Sequence, residues 1–292
     1  MDARLRELEE ENARLRAAAA ARDGIAGSIA DLVGRTPLLR VSSPPGAAEL
    51  VAKLEFLNPG GSVKDRAALE IVLDAERRGK LVRGSSILVD ATSGNTGVAL
   101  AMVAAARGYG CVVAMPRLGP NMERYALIRA YGGVVLLSEP GEGSEGMLRL
   151  AAAAAARLGD RAYACSQFTN PANADAHVKT TGPELWAQCG GRLDGVVLGA
   201  GTGGTVSGVA RALRQLAAAA SVPPPRIVAV EPELSRTLSG GAHHNGHGVT
   251  GIGAGVPLAF VRPRGAAAAS SDDARVAADD YRSCPLADAL DA

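Results

Sequence analysis

The residue in this chain best equipped for covalent chemistry is Lys64, inside Asn58-Pro59-Gly60-Gly61-Ser62-Val63-Lys64-Asp65-Arg66. A Pro-Gly-Gly turn leads into Ser62, and Asp65 follows at the spacing of a capping box. Beyond it, Val63, Ala67, Leu69, Ile71, Val72 and Leu73 recur with helical period and predict a helix over 63–78. Lys64 therefore falls in a first turn, where the helix dipole is positive and a cation is disfavoured. A lysine shielded there is expected to have a lowered amine pKa, which suits a nucleophile that condenses with a carbonyl. On this stretch alone, an ordinary surface lysine explains the residue equally well.

Two more glycine loops follow predicted strands. Ala91-Thr92-Ser93-Gly94-Asn95-Thr96-Gly97 sets short polar side chains beside the free N–H groups of a helix start, a good receiver for a carboxylate or phosphate. A well-capped turn is the plainer alternative, since Ser, Thr, Asn and Gly are ordinary cap residues. Gly199-Ala200-Gly201-Thr202-Gly203-Gly204-Thr205 offers backbone amides and the Thr202 and Thr205 hydroxyls to a phosphate. It also satisfies G-x-G-x-x-G through Gly199, Gly201 and Gly204, and the next strand ends in Glu231, so a nicotinamide-dinucleotide site competes. That competitor leaves Lys64 and the Thr92–Thr96 loop without a role. One ligand that uses an activated lysine, a phosphate cradle and an amino-acid carboxylate pocket together is pyridoxal phosphate: lysine holds the aldehyde as a Schiff base, the 202/205 loop the phosphate and the 92–96 loop an amino-acid substrate.

The elements that must position these loops alternate. Strands are predicted at 50–56, 86–90, 111–115, 134–137, 162–165, 194–199 and 226–230, with helices at 63–78, 96–107, 121–131, 145–158 and 203–219. Such alternation means βαβ units and parallel sheets with helices on both faces, whose ligands bind beyond the carboxyl ends of the strands. After Phe260, strand signals are lacking and one amphipathic helix fits around Asp272–Arg282. Residues 1–24 form a helical leader with Leu5, Leu8, Asn12 and Leu15 on heptad positions, too short to hold a coiled coil by itself.

Totals narrow the class. The 292 residues suffice for one large or two ordinary domains, and a net charge of +1 gives no footprint for nucleic acid or an anionic membrane. No apolar run reaches membrane-spanning length, and the start lacks a secretory signal. Cys111, Cys165, Cys189 and Cys284 are widely spaced, without a CxxC pair or zinc pattern, which fits reduced thiols in the cytoplasm. Cys111 and Cys165 read as inert core residues and Trp186 as packing. His243, His244 and His247 lack nearby acidic or thiol ligands and read as a loop rather than a metal site.

The motifs NPGGSVKDR, TSGNTG, SQFTNPAN with a following His and TTGPELW, GTGGTVSG, EPELSRTLSGG and GIGAG stand in one order over residues 28–260. The sequence thereby resembles the cysteine synthase (O-acetylserine sulfhydrylase) and cystathionine β-synthase family of pyridoxal-phosphate enzymes. The resemblance implies fold type II, tryptophan synthase β-like: two open, twisted, mostly parallel-sheet α/β domains. The expected division is 25–168 for the lysine domain, with 36–57 packing on the other domain, and 169–292 for the phosphate-loop domain. It further implies that Lys64 carries the cofactor and shuttles the substrate's α-proton. Asn95 would meet the cofactor's ring hydroxyl oxygen, and Gly201, Thr202, Gly203, Gly204 and Thr205 its phosphate. Thr92, Ser93, Thr96 and Gln167 would clasp the substrate carboxylate, and Gly251 would line the entrance. The implied reaction is β-replacement, O-acetylserine losing acetate and gaining sulfide to give cysteine, in a homodimer with a serine acetyltransferase-type partner. A cystathionine β-synthase-like or dehydratase-like lyase is the alternative within the class. The family's Ser-rich loop, whose hydroxyl meets the pyridine nitrogen, is not found in 261–292, and Thr250 stands where Gln commonly precedes GIGAG. The expectation is thus a C-terminally truncated member, with an impaired or regulatory homologue as a further alternative.

Overall fold

The computed structural model describes residues 25–44, 46–92, 94–117, 122–242, 249, 251–254, 258–262 and 278–284. The chain forms two compact units, Met1–Ser166 and Gln167–Ala292. In the first, β1 (Leu38–Val41) and β2 (Leu50–Lys53) pair antiparallel, Leu38 opposite Lys53. The strand expected to run to residue 56 stops at Lys53, and Glu55–Leu57 turns into a 3-10 helix. There the Glu55 carboxylate accepts from Thr36 Oγ1 at 2.6 Å and Arg66 Nε at 2.7 Å.

The main sheet of this unit runs β5-β4-β3-β6, all parallel: β3 Ile87–Ala91, β4 Gly110–Pro116, β5 Val134–Ser138 and β6 Ala162–Ala164. Aliphatic runs such as Leu88-Val89 and Val113-Ala114-Met115 are buried, as interior strands of a sheet covered on both faces must be. Helices α1 (Lys64–Arg77), α2 (Asn95–Arg107), α3 (Met122–Ala130) and α4 (Gly143–Leu158) link the strands. Every residue of α2 from Thr96 to Ala104 is buried, because the segment is small or apolar on all sides and packs against α1, α3 and β4.

In the second unit, α5 (Ala172–Ala176), a π-turn at His177–Thr181 and α6 (Gly182–Gln188) make one helical run against α7 (Gly204–Ala219). Small residues permit that approach: a Cβ at Gly208 would collide with the Ala174 carbonyl oxygen, and one at Gly182 with Ala212 Cβ. The sheet is β7-β8-β9, again parallel, with β7 Gly195–Gly199, β8 Arg226–Pro232 and β9 Asp280–Cys284.

Strand β9 corrects the reading of the tail. Residues 280–282 pair with β8, Val228 opposite Asp280, instead of ending an amphipathic helix; residues 272–277 lie outside the described chain. Asp279 decides the outcome. Its carboxylate accepts the Ile227 N–H at 2.7 Å and Arg214 Nη2 at 3.1 Å, which pins the chain beside the start of β8.

Candidate active site

Lys64 is the first residue of α1. The predicted capping box forms differently. Ser62 Oγ accepts the Lys64 N–H at 3.2 Å, but the Asp65 carboxylate reaches past Ser62 to the Gly60 N–H at 2.5 Å. The turn is therefore closed by Asp65, with its Oδ1 buried and unpartnered among the described residues. Burial lifts the Asp65 pKa to about 6, the Gly60 N–H pulls it down in part, Glu55 pushes it up and Arg66 opposes. Part of Lys64 retains accessible surface, yet its amine is desolvated, and that alone lowers its pKa from the ordinary 10.5. Among the described residues no carboxylate pairs with it.

Behind this turn lies a buried brace. Arg66, whose side chain is 1% exposed, gives Nε and Nη2 to the two Glu55 oxygens at 2.7 and 2.8 Å, with Nη2 also 3.1 Å from Thr36 Oγ1. Asn58 donates to Glu55 Oε2 at 3.0 Å and accepts the Gly34 N–H at 2.8 Å. Burial raises the Glu55 pKa, but Arg66, Thr36 and Asn58 outweigh it and hold the carboxyl below its usual value. Lys64 is thus mounted on a turn fixed from both sides.

At the β3–α2 junction Thr92 and Thr96 are buried. The Thr92 N–H donates to the Ala114 carbonyl at 2.9 Å, and Thr92 Oγ1 accepts the Gly94 N–H at 3.2 Å. Among the described residues no side chain caps α2, so the positive end of its dipole stands beside the loop. Asn95 Oδ1 accepts from Arg124 Nε at 3.3 Å, which leaves the Asn95 amide nitrogen as its free donor. Arg124 was not singled out from sequence, because an arginine on an amphipathic helix carries no local signal. Ser93 lies outside the described residues. Since α1 and α2 pack along each other, Lys64 and the 92–96 loop stand at the amino ends of neighbouring helices.

At the β7–α7 junction Gly203 is the N-cap with φ 84°, a left-handed conformation that any side chain would strain, and so it brings no side chain of its own to cap α7. Gly201 is needed for another reason, since a Cβ there would stand 2.5 Å from the Gly251 carbonyl oxygen. The Gly253 N–H donates to the Ala200 carbonyl at 3.0 Å, so the 251–253 segment is tied to the loop. Thr205 Oγ1 lies 3.2 Å from His177 Nε2, whose Nδ1 is 2.8 Å from Thr181 Oγ1, so His177 links the phosphate-type loop to the helical run at 172–188. Gln167 is buried in the same unit. Gln167, the 201–205 loop and Gly251 therefore belong together in the second unit, and Lys64, Thr92, Asn95 and Thr96 in the first.

Other groups drop out. Glu231 is 1% exposed, and its two oxygens accept the Leu238 and Ser239 N–H groups at 2.8 Å each, so the carboxylate is buried on a structural turn and not presented to a ribose hydroxyl. That removes the acid required by the dinucleotide reading. Burial, with Asp90 nearby, pushes the Cys111 thiol up to about 12, and Cys165 rises for the same reasons, so both are inert. Among the described residues no cluster of His, Cys, Asp or Glu could hold a metal, and His243, His244 and His247 lie outside them. A cavity of about 400 Å³ lined by Gly84, Ser86, Tyr109 and Arg161 opens at the opposite, amino-terminal ends of β3 and β4.

Parallel-sheet α/β units carry a desolvated lysine and a glycine loop at a helix start, and residues 29–283 match one enzyme class: the chain belongs to the pyridoxal-phosphate dependent enzyme family. Within that class it is 44% identical over 228 residues to cysteine synthase 3 of Caenorhabditis elegans, covering 77% of this chain and 65% of that protein. The chain thus spans just under two thirds of that curated relative. Among solved structures it is similar to O-ureido-L-serine synthase, with TM-score 0.73, 38% identity and coverage of 89% of this chain and 77% of the other. It is also similar to the cysteine synthase of Entamoeba histolytica, with TM-score 0.78, 33% identity and coverage of 92% and 75%. The residues fit the family's cofactor: an uncharged-prone amine for the aldehyde, and for the phosphate a helix amino terminus whose approach Gly201 keeps clear.

Proposed function

We propose that this chain catalyses β-replacement of the cysteine synthase type, in which O-acetylserine loses acetate and takes up sulfide to give cysteine. The observation that carries the reading is the desolvated Lys64 amine, held on a braced turn and free of a carboxylate partner among the described residues. The two relatives named as cysteine synthases support the substrate class.

Bound pyridoxal phosphate supplies an aldehyde for Lys64 and an electron sink for the substrate's Cα. Lys64 Nζ, neutral over a wider pH range than an exposed lysine, accepts the Cα proton and later returns it. Over the cycle the Cβ–O bond to acetate breaks and a Cβ–S bond to hydrosulfide forms, so the exchange balances. The 201–205 loop would hold the phosphate at the amino end of α7 through the Thr202 and Thr205 hydroxyls and the N–H groups of Gly201 and Gly203, while the Gly204 N–H stays on Thr202 Oγ1. The Asn95 amide nitrogen, freed by Arg124, donates to the ring hydroxyl oxygen. Thr92, Ser93, Thr96 and Gln167 hold the substrate carboxylate, with Gly251 at the entrance. The family resemblance supports two finer readings: a cytoplasmic homodimer, and a serine acetyltransferase-type partner. Light scattering with and without the acetyltransferase tests the dimer and the partner, and cell fractionation tests the location.

Purified protein with pyridoxal phosphate should absorb in the near-violet, and O-acetylserine with sulfide should yield cysteine. Lys64→Ala should lose the band and the product together. A wild-type protein that binds the cofactor but releases no acetate from O-acetylserine would refute the substrate assignment.

A further inference from the structure

Asn173 is 2% exposed and sits between two parts of the site in the second unit. Its Nδ2 donates to the Gln167 carbonyl at 2.7 Å and to Thr202 Oγ1 at 2.9 Å. A backbone carbonyl only accepts, so the amide atom facing Gln167 has to be the nitrogen, and the orientation of the side chain is fixed. The same nitrogen's second hydrogen then goes to Thr202.

Thr202 Oγ1 also accepts the Gly204 N–H at 3.3 Å. A hydroxyl oxygen has two lone pairs and one hydrogen, and both lone pairs are now occupied by donors. What Thr202 has left is its O–H, which finds no acceptor among the described residues. Thr205 differs, because its partner His177 Nε2 serves as donor or acceptor with the tautomer. The two threonines of one loop are therefore not equivalent.

We propose that Asn173 is a positioning residue that holds Thr202 as an obligate hydrogen-bond donor toward the cofactor's phosphate, and ties that donor to the Gln167 backbone. The inference rests on the phosphate role given above to the 201–205 loop. It predicts a polarity, so substitutions that remove and that reverse the donor differ. Asn173→Ala leaves the Thr202 hydroxyl free to turn and should weaken pyridoxal phosphate binding about tenfold, the scale of one hydrogen bond. Asn173→Asp puts an acceptor there, draws the Thr202 O–H back and repels the phosphate, and should cost about a hundredfold.

The test titrates the purified full chain with pyridoxal phosphate and, separately, with pyridoxal, following the near-violet band and the 31P resonance of bound phosphate. The expected result is a loss for pyridoxal phosphate in the order Asp worse than Ala, with pyridoxal unaffected. Thr202→Val should cost about tenfold by itself and make Asn173→Ala nearly silent in its background. Equal losses for both ligands, or wild-type affinity in Asn173→Ala, overturn the proposal. Should Asn173→Ala not fold, Asn173→Ser carries the same expectation. A wild-type chain that binds pyridoxal as well as pyridoxal phosphate would overturn the phosphate reading of the loop, and this inference with it.

Discussion

Lys64 and Asp65 are neighbours whose protonation is governed by the same burial with opposite signs. Desolvation disfavours the charged form of each, so the amine loses its proton more easily and the carboxyl keeps its own. Capture of pyridoxal phosphate by the cofactor-free protein should therefore speed up with pH and level off below 10.5, the ordinary lysine value, as stopped-flow absorbance would show. Asp65 binds its proton more tightly in the folded chain than at its ordinary 3.8, so its contribution to stability is complete below that pH and is lost as pH rises through about 6. Urea unfolding of wild type against Asp65→Asn should show the difference between them changing across pH 4–6, by about 3 kcal/mol for a shift of about two units, and flat above 7. Flat behaviour throughout would mean that Asp65 binds its proton equally well in the folded and the unfolded chain. The chemistry of Lys64 was suggested by its place in the sequence, whereas the Asp65–Gly60 closure was not, because a capping box predicts a shorter reach.

Each functional loop is held by a different kind of support. The Glu55–Arg66 pair braces the lysine turn from within, and a buried pair punishes the loss of one partner more than the loss of both. Arg66→Ala should destabilise the fold by about 3 kcal/mol, and the cost should shrink when Glu55→Leu is added, read from urea midpoints. The phosphate loop depends instead on clearance. Gly201→Ala, whose Cβ would press on the Gly251 carbonyl, should lower cofactor affinity at least tenfold, measured by fluorescence titration. Periodicity revealed the interior strands and the long helices because their residues face apolar surroundings in a regular order. It missed β1, β9 and the helical run at 172–181 for physical reasons. The four-residue β1 leaves Leu39 and Val41 exposed, β9 reads Asp-Tyr-Arg-Ser-Cys, and a π-turn breaks the period of 3.6.

For the chain as a whole, a ligand that binds only the folded state stabilises it by mass action. Pyridoxal phosphate at about a hundred times its Kd should add about 2.7 kcal/mol and raise the melting temperature. The rise should be smaller for Lys64→Ala, which keeps the phosphate cradle but not the covalent link; differential scanning calorimetry makes the comparison. An equal rise in both proteins would remove Lys64 from the binding site.

Sequence alone determined the class of fold and the three loops, because both follow from local rules: alternation of apolar periods, glycines at strand ends and short polar side chains at helix starts. It could not determine which hydrogen bonds those side chains make. That Glu231 is spent on the Leu238 and Ser239 amides, that Asn95 is turned by Arg124, and that Asn173 fixes the polarity of Thr202 are results of tertiary packing. Each joins residues far apart along the chain, or facing surfaces that no local pattern records. The charge of Lys64 belongs to the same group, since burial of the amine sets it. Local spacing placed the lysine at a helix start; the surrounding packing decided that it stands there desolvated.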